Sequence, residues 1–119
     1  MAADAAIFIG WGPVIAGREQ KALQVFNEVL QHYTQLQQRG EIESFEPVAL
    51  EPHGGDLAGF LIIRGGREQL NRLRASGEYQ RLNARGLLVV QNFGAVDAYI
   101  GEGLGRLFAT YQQQSTELA

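Results

Sequence analysis

Cysteine is absent from the 119 residues of this chain. Its absence excludes thiol nucleophiles, disulfides, redox pairs and thiolate metal sites, and it is compatible with a reducing cytoplasm. Histidine is nearly as scarce. His32 and His53 are the two in the chain, so no cluster has the ligand spacing of a zinc or iron site, and neither a metal nor a cofactor is expected. An excess of basic charge is also lacking: ten Lys and Arg against thirteen Asp and Glu give a net charge of −3. Without a broad basic field to hold phosphates, nucleic acid is not an expected partner. No apolar run reaches the length of a membrane span, and residues 1–6 contain Asp4 and no basic group, unlike the start of a secretory signal. The expectation is a soluble cytoplasmic protein with no membrane partner. The three serines, Ser44, Ser76 and Ser115, lack a nucleophile-elbow context, so covalent catalysis is not expected.

What is present is an ordinary globular composition, 45% apolar and 19% charged, at a length that suits one domain over residues 1–119. The tetrapeptide Gly-Arg-Glu-Gln occurs at Gly17 and again at Gly66, each time after an apolar run and before a helical pattern. Arg39-Gly40 and Arg85-Gly86 echo it downstream. The chain therefore reads as two βαβ halves, each leaving an apolar face for the other to cover.

Residues 5–11 (AAIFIGW) form a short run that is apolar on both faces, stopped by Gly12-Pro13. From Arg18 the positions Ala22, Phe26, Val29, Tyr33 and Leu36 recur at spacings of four and three, which predicts a helix ending at Gly40. Glu28 and His32 lie one turn apart on it, in position for a surface ion pair. Residues 42–50 read as a strand in which Pro47 demands an edge, with a bulge where the apolar phase slips. A turn-rich stretch over 52–56 leads to a third strand over 57–64, and so to a hairpin. A second helical region is shorter and broken, with Ser76 capping a new start and Gly86 closing it. Residues 87–93 (LLVVQNF) are expected as the fourth strand. Leu104, Leu107, Phe108 and Tyr111 then share one face of a tail helix, with 112–119 expected to fray. The glycines from Gly101 to Gly105 lack the Lys-Ser/Thr of a phosphate loop and are read as a flexible entry to that helix.

This order leads to an α+β ferredoxin-like βαββαβ sandwich, antiparallel sheet order 4-1-3-2, with a core over about 5–93 and a C-terminal extension and helix over about 94–114. Two helices cover one face of such a sheet. The other face should be polar in a solitary monomer, yet Ile7 and Ile9 alternate with Phe8, Phe60 and Ile62 with Leu61 and Ile63, and Leu87 and Val89 with Leu88 and Val90, so both faces read as apolar. Burying about 600 Å² of it is worth roughly 15 kcal/mol before the costs of association. A homodimer through the sheet faces is therefore expected, with Ile63 and Val90 as positions where a lysine tests that contact.

In element order, in the doubly apolar strands and in the helix break at Ser76-Gly77-Glu78-Tyr79, the chain resembles the dimeric α/β-barrel superfamily, over roughly residues 5–93. Antibiotic-biosynthesis monooxygenase-like, EthD-like and stress-responsive barrel proteins belong there. The resemblance implies functions from cofactor-independent oxygenases and isomerases to members with no established activity. In that topology the C-terminal ends of the first two strands share one end of the sheet, which gathers Trp11, Arg18, His53 and Asp56 as candidate ligand-binding residues. His53 is the candidate proton carrier, Trp11 a wall, and Asp56 either orients His53 or caps the hairpin. His32 with Tyr33 on the long helix, and Arg64 with Asn92 at strand ends, are further polar pairs whose ordinary roles are packing and solvation. The sequence supports a small dimeric α/β-barrel protein, a binding or regulatory module with no assignable catalysis, for which a small apolar or aromatic molecule is a candidate partner. The alternative is a cofactor-independent monooxygenase-like or isomerase-like enzyme acting on such a molecule.

Overall fold

The computed structural model of the protein describes residues 3–119, so Met1 and Ala2, part of the start read for a leader, lie outside it. Its elements run β1 (Ala5–Trp11), α1 (Glu19–Gln38), β2 (Ser44–Ala49), β3 (Gly59–Gly65), α2 (Arg67–Ala75), α3 (Gly77–Leu87), β4 (Gly94–Tyr99) and α4 (Gly101–Leu118). The strands form one antiparallel sheet in the order β2-β3-β1-β4, the expected order read from the other edge.

The register assigns the two sheet faces. Ile7 pairs with Ile63 and Ile9 with Leu61, and these four are buried beneath the helices together with Tyr33, Leu36, Leu70 and Leu73. Side chains alternate along a strand, so the next residues point the other way. That second face carries Phe8, Phe60 and Ile62, half-buried, and Val96, 59% exposed, with Phe8 and Phe60 stacked at 5.4 Å. Ile63 is on the helix side and wholly buried, so a lysine there would not probe the open face. Pro47 lies on the edge strand as expected, but the β2–β3 register is continuous and has no bulge. Leu50 donates to Ala58 O, so by alternation position 47 turns its backbone nitrogen to the open edge, where no ladder bond is lost.

The helix break is as expected. The Ser76 hydroxyl donates to Leu73 O at 2.8 Å, closing α2, and accepts from Tyr79 N–H at 3.2 Å, opening α3. The fourth strand differs from its expected place. Residues 87–93 do not form it: Leu87 closes α3, and 88–93 cross beneath residues 12–15 through Gln91 N–H to Pro13 O, Gly12 N–H to Gln91 O and a Val14–Val90 bridge. Only Val89 of the apolar run is buried; Leu87 and Leu88 are exposed, and Val90 lies in this loop rather than on the open sheet face. The strand is Gly94–Tyr99, whose alanines and Asp97 give a weak strand signal. Asp97 is accommodated by an ion pair to Arg74 of α2.

The tail also differs. Gly101 to Gly105 are no flexible entry but the first turn of α4: a Cβ at Gly103 would fall 2.5 Å from Asp4 O, so glycine lets the helix cross the start of β1, where Arg106 pairs with Asp4. The helix continues to Leu118 where fraying was expected, and Phe108 and Tyr111 of its apolar stripe are about 60% exposed. An arm of about 27 Å raises the radius of gyration to 16.2 Å, against roughly 13–14 Å for a compact domain of this length.

Two substitutions test this packing by chemical denaturation. Ile63→Ala should cost about 2–4 kcal/mol, as loss of a wholly buried branched side chain does. Ser76→Ala should cost about 1 kcal/mol through two helix ends at once.

Candidate functional site

Helix α1 crosses the sheet, and α3 lies beside it. Arg85 of α3 donates to both carboxylate oxygens of Glu28 on α1, at 2.8 and 3.0 Å. This bidentate pair fixes the spacing of the two helices. Glu28 therefore pairs with Arg85, not with His32 as the one-turn spacing suggested. The Arg85 guanidinium holds the Glu28 carboxyl below its ordinary range, against the opposing effect of partial burial.

At the end of the sheet where β1 stops, the layers part around a half-open cavity of about 480 Å³. Trp11, Ile9 and Leu61 form its floor, Ala22, Phe26 and Val29 of α1 one wall, and Leu82 and Gly86 of α3 another. Val89, Val90 and Phe93 of the crossing loop complete the wall. Two close approaches shape the wall. A Cβ at Gly59, the cross-strand partner of Trp11, would come within 2.7 Å of the indole, and one at Gly86 within 2.9 Å of the Phe93 ring. Each glycine thus lets an aromatic ring lie flat against backbone. The indole also meets Phe26 edge-on at 5.9 Å.

Polar groups are few on this surface. Glu19, in the first turn of α1, and Asn83, on α3, are the charged and amide side chains among the described lining residues. Glu19 accepts from Gly17 N–H at 3.2 Å. The Asn83 side chain makes no hydrogen bond among the described residues.

Of the sequence candidates, Trp11 is in the wall and the other three are not. Arg18 precedes α1 as its N-cap and is exposed, one position before Glu19. His53 is exposed in the β2–β3 loop, where its Nε2 lies 2.9 Å from Leu57 O and its Nδ1 accepts from Gly55 N–H at 3.3 Å. Through those contacts both ring nitrogens serve the loop. Asp56 is exposed beside it, with its carbonyl close to Gly12. The structure thus brings Trp11 into the cavity and leaves Arg18, His53 and Asp56 around its outside.

His32 and Tyr33 meet edge-on at 5.2 Å without a mutual hydrogen bond. Burial lowers the His32 pKa and raises that of Tyr33, so both are neutral at pH 7. Arg64 faces the open side of the sheet and pairs with Glu46, whereas Asn92 takes a left-handed turn, φ 55°, before β4, so these two do not form a site. Glu19, Asn83 and the crossing loop were missed. The available signals were Gly59 opposite Trp11 and Gly86 near Phe93, each a small residue facing a large ring.

No protein-family model matches the chain, nor does any curated protein. Solved structures share its fold. The chain is similar to a dimeric protein of unknown function and ferredoxin-like fold from Bacteroides fragilis NCTC 9343, at 12% identity over 84% of this chain and 100% of that one, with a TM-score of 0.58. A dimeric ferredoxin-like protein of unknown function from Jannaschia sp. CCS1 gives 10% identity over 81% and 98%, TM-score 0.63. SnoaB, a cofactor-independent oxygenase from Streptomyces nogalater, gives 13% over 83% and 95%, TM-score 0.53. Likeness at these identities establishes the ferredoxin-like fold that the element order implied.

The helix clamp generates a pH test. Because the folded state lowers the Glu28 pKa, its contribution is present above the ordinary carboxylate range and is lost as pH falls through the lowered value. Wild type should exceed Glu28→Gln in stability by about 1 kcal/mol at pH 7, and the difference should shrink as the pH falls below the ordinary carboxylate range, read from urea midpoints across pH.

Proposed function

We propose that the protein is a binding module that holds a small apolar or aromatic molecule between its sheet and helices, and that it acts as a homodimer joined through the open sheet faces. The cavity carries this reading. Its volume lies within the ~300–1,000 Å³ typical of small-molecule sites, and Phe26, Val29 and Tyr33, which could have filled the cleft, line it instead. Aromatic walls favour a flat ligand with a large apolar area.

Support for the dimer comes from the second sheet face. Phe8, Phe60, Ile62 and Val96 form an apolar patch on a chain whose other sheet face is already covered. Patches of this kind mark association surfaces, and the similar proteins from B. fragilis and Jannaschia are themselves dimeric. The exposed stripe of α4 adds apolar area that a second copy can cover. A cytoplasmic setting fits a chain without cysteine.

A catalytic reading through His53, as proton carrier for a cofactor-free oxidation or isomerisation, has support from the fold it shares with SnoaB. It has less from local geometry, since His53 is outside the cavity wall and both its ring nitrogens are engaged by the loop. Binding is the better supported of the two.

Two variants test the proposal. Ala22→Phe, which grows into the cavity, should weaken binding of 2-(1-naphthyl)ethanol at least tenfold by calorimetry while the melting temperature stays within a few degrees; unaltered affinity would place the ligand elsewhere. Phe60→Lys should yield a folded monomer at low micromolar concentration by light scattering; a folded dimer would show that the open face is not the contact.

A further inference from the structure

Glu19 is the charged residue among the described residues of a mostly apolar wall, and it lies at the cavity mouth in the first turn of α1. Its Oε2 accepts from Gly17 N–H, and no Lys, Arg or His lies within ion-pair distance of the carboxylate among the described residues. No other acidic residue lines the cavity among the described residues, and the nearby cations in sequence, Arg18 and Lys21, are not among its lining residues. Asn83 adds an amide with no hydrogen-bond partner among the described residues. We infer that the cavity selects ligands by charge, taking an apolar or aromatic body that carries a protonated amine at the Glu19 end and disfavouring the same body with a carboxylate. The inference rests on the proposed ligand cavity and goes beyond it in naming the ligand's ionic class.

The physical argument is one of complementarity. A ligand of this shape buries its apolar part against Trp11 and Phe26, which leaves its polar end at the mouth. There an ammonium meets an unpaired carboxylate, whereas an anion meets like charge with no wall cation to offset it. An exposed ion pair is worth up to about fivefold in affinity, and like-charge repulsion costs a similar factor. The ratio between amine and acid should thus be roughly tenfold, and salt should reduce it because the mouth is open to solvent. The alternative, selection of anions by Arg18 and the positive end of α1, predicts the reverse order.

Three probes of one shape decide between them: 2-(1-naphthyl)ethylamine, 2-(1-naphthyl)ethanol and 1-naphthaleneacetic acid, titrated by calorimetry at pH 7 and low salt. The expected order is amine, alcohol, acid, about tenfold from first to last, and Glu19→Gln should bring amine and acid to within about threefold of one another. Binding of the alcohol with amine and acid equal, or with the acid tightest, would overturn the charge selection while leaving the cavity as a binding site. A gap that persists in Glu19→Gln would also overturn it, by placing its origin elsewhere. Failure of all three probes to bind would overturn the underlying cavity reading and this inference with it.

Discussion

The pairing of β1 with β3 is the contact on which everything else depends. Both strands are apolar on both faces, so wherever they pair they generate two apolar surfaces back to back. One surface, built from Ile7, Ile9, Leu61 and Ile63, is covered by α1, α2 and α3 and becomes the core. The other, built from Phe8, Phe60 and Ile62, is left open by the helices α1, α2 and α3 among the described residues. A one-residue slip of β1 would carry Phe8 beneath the helices in place of Ile7 and Ile9, so packing against the helices, rather than apolar content alone, fixes the register. The core side forms within one chain, and the open side is what the proposed second copy covers.

The cavity follows from the same pair at its far end. Along the middle of the sheet, branched side chains meet Tyr33 and Leu36 and fill the space beneath α1. At the last step of β1 the pair becomes Trp11 with Gly59, one large flat group lying across a residue with no side chain. The indole lines the floor, and α3, held to α1 by Arg85 and Glu28, forms a wall without entering the space. Leu87 and Leu88 end α3, and the chain turns under residues 12–15 before reaching β4. That crossing loop supplies the remaining wall. The cavity is thus a consequence of where helix and strand stop, and it has an apolar interior because each stopping point is apolar.

Much of this was legible from residue pattern. The doubly apolar run 5–11, the four-and-three spacing of α1, Pro47 on an edge and the Ser76 break each have one physical explanation, and the structure follows it. The repeated Gly-Arg-Glu-Gln marks two helix starts, where Glu19 in the first copy and Gln69 in the second each accept from a nearby glycine N–H. The echo of Arg-Gly was less faithful: Gly40 ends α1 at φ 73°, but Gly86 lies within α3 and makes room for Phe93. The fourth strand was misplaced because apolar content in LLVVQNF outweighed the faint alternation in GAVDAY. An edge strand flanked by one neighbour needs less apolar area than a cavity wall, and sequence pattern alone does not distinguish those two demands. The candidate site was half legible for a related reason. Topology gathered the end of the sheet where the cavity lies, with Trp11 in its wall. It could not tell that the His53 ring would be engaged by its own loop, or that Glu19 rather than Arg18 would reach the mouth, since one residue at a helix start rotates a side chain by about 100°.

The account's central claim is that both faces of one sheet are covered, the first by helices and the second by another copy of the chain. A native mass spectrum of the untagged protein at low micromolar concentration tests it most directly. The account predicts the mass of two chains. A single chain, stable and unassociated at that concentration, would contradict it, because Phe8, Phe60, Ile62 and Val96 would then stand in water with nothing to cover them.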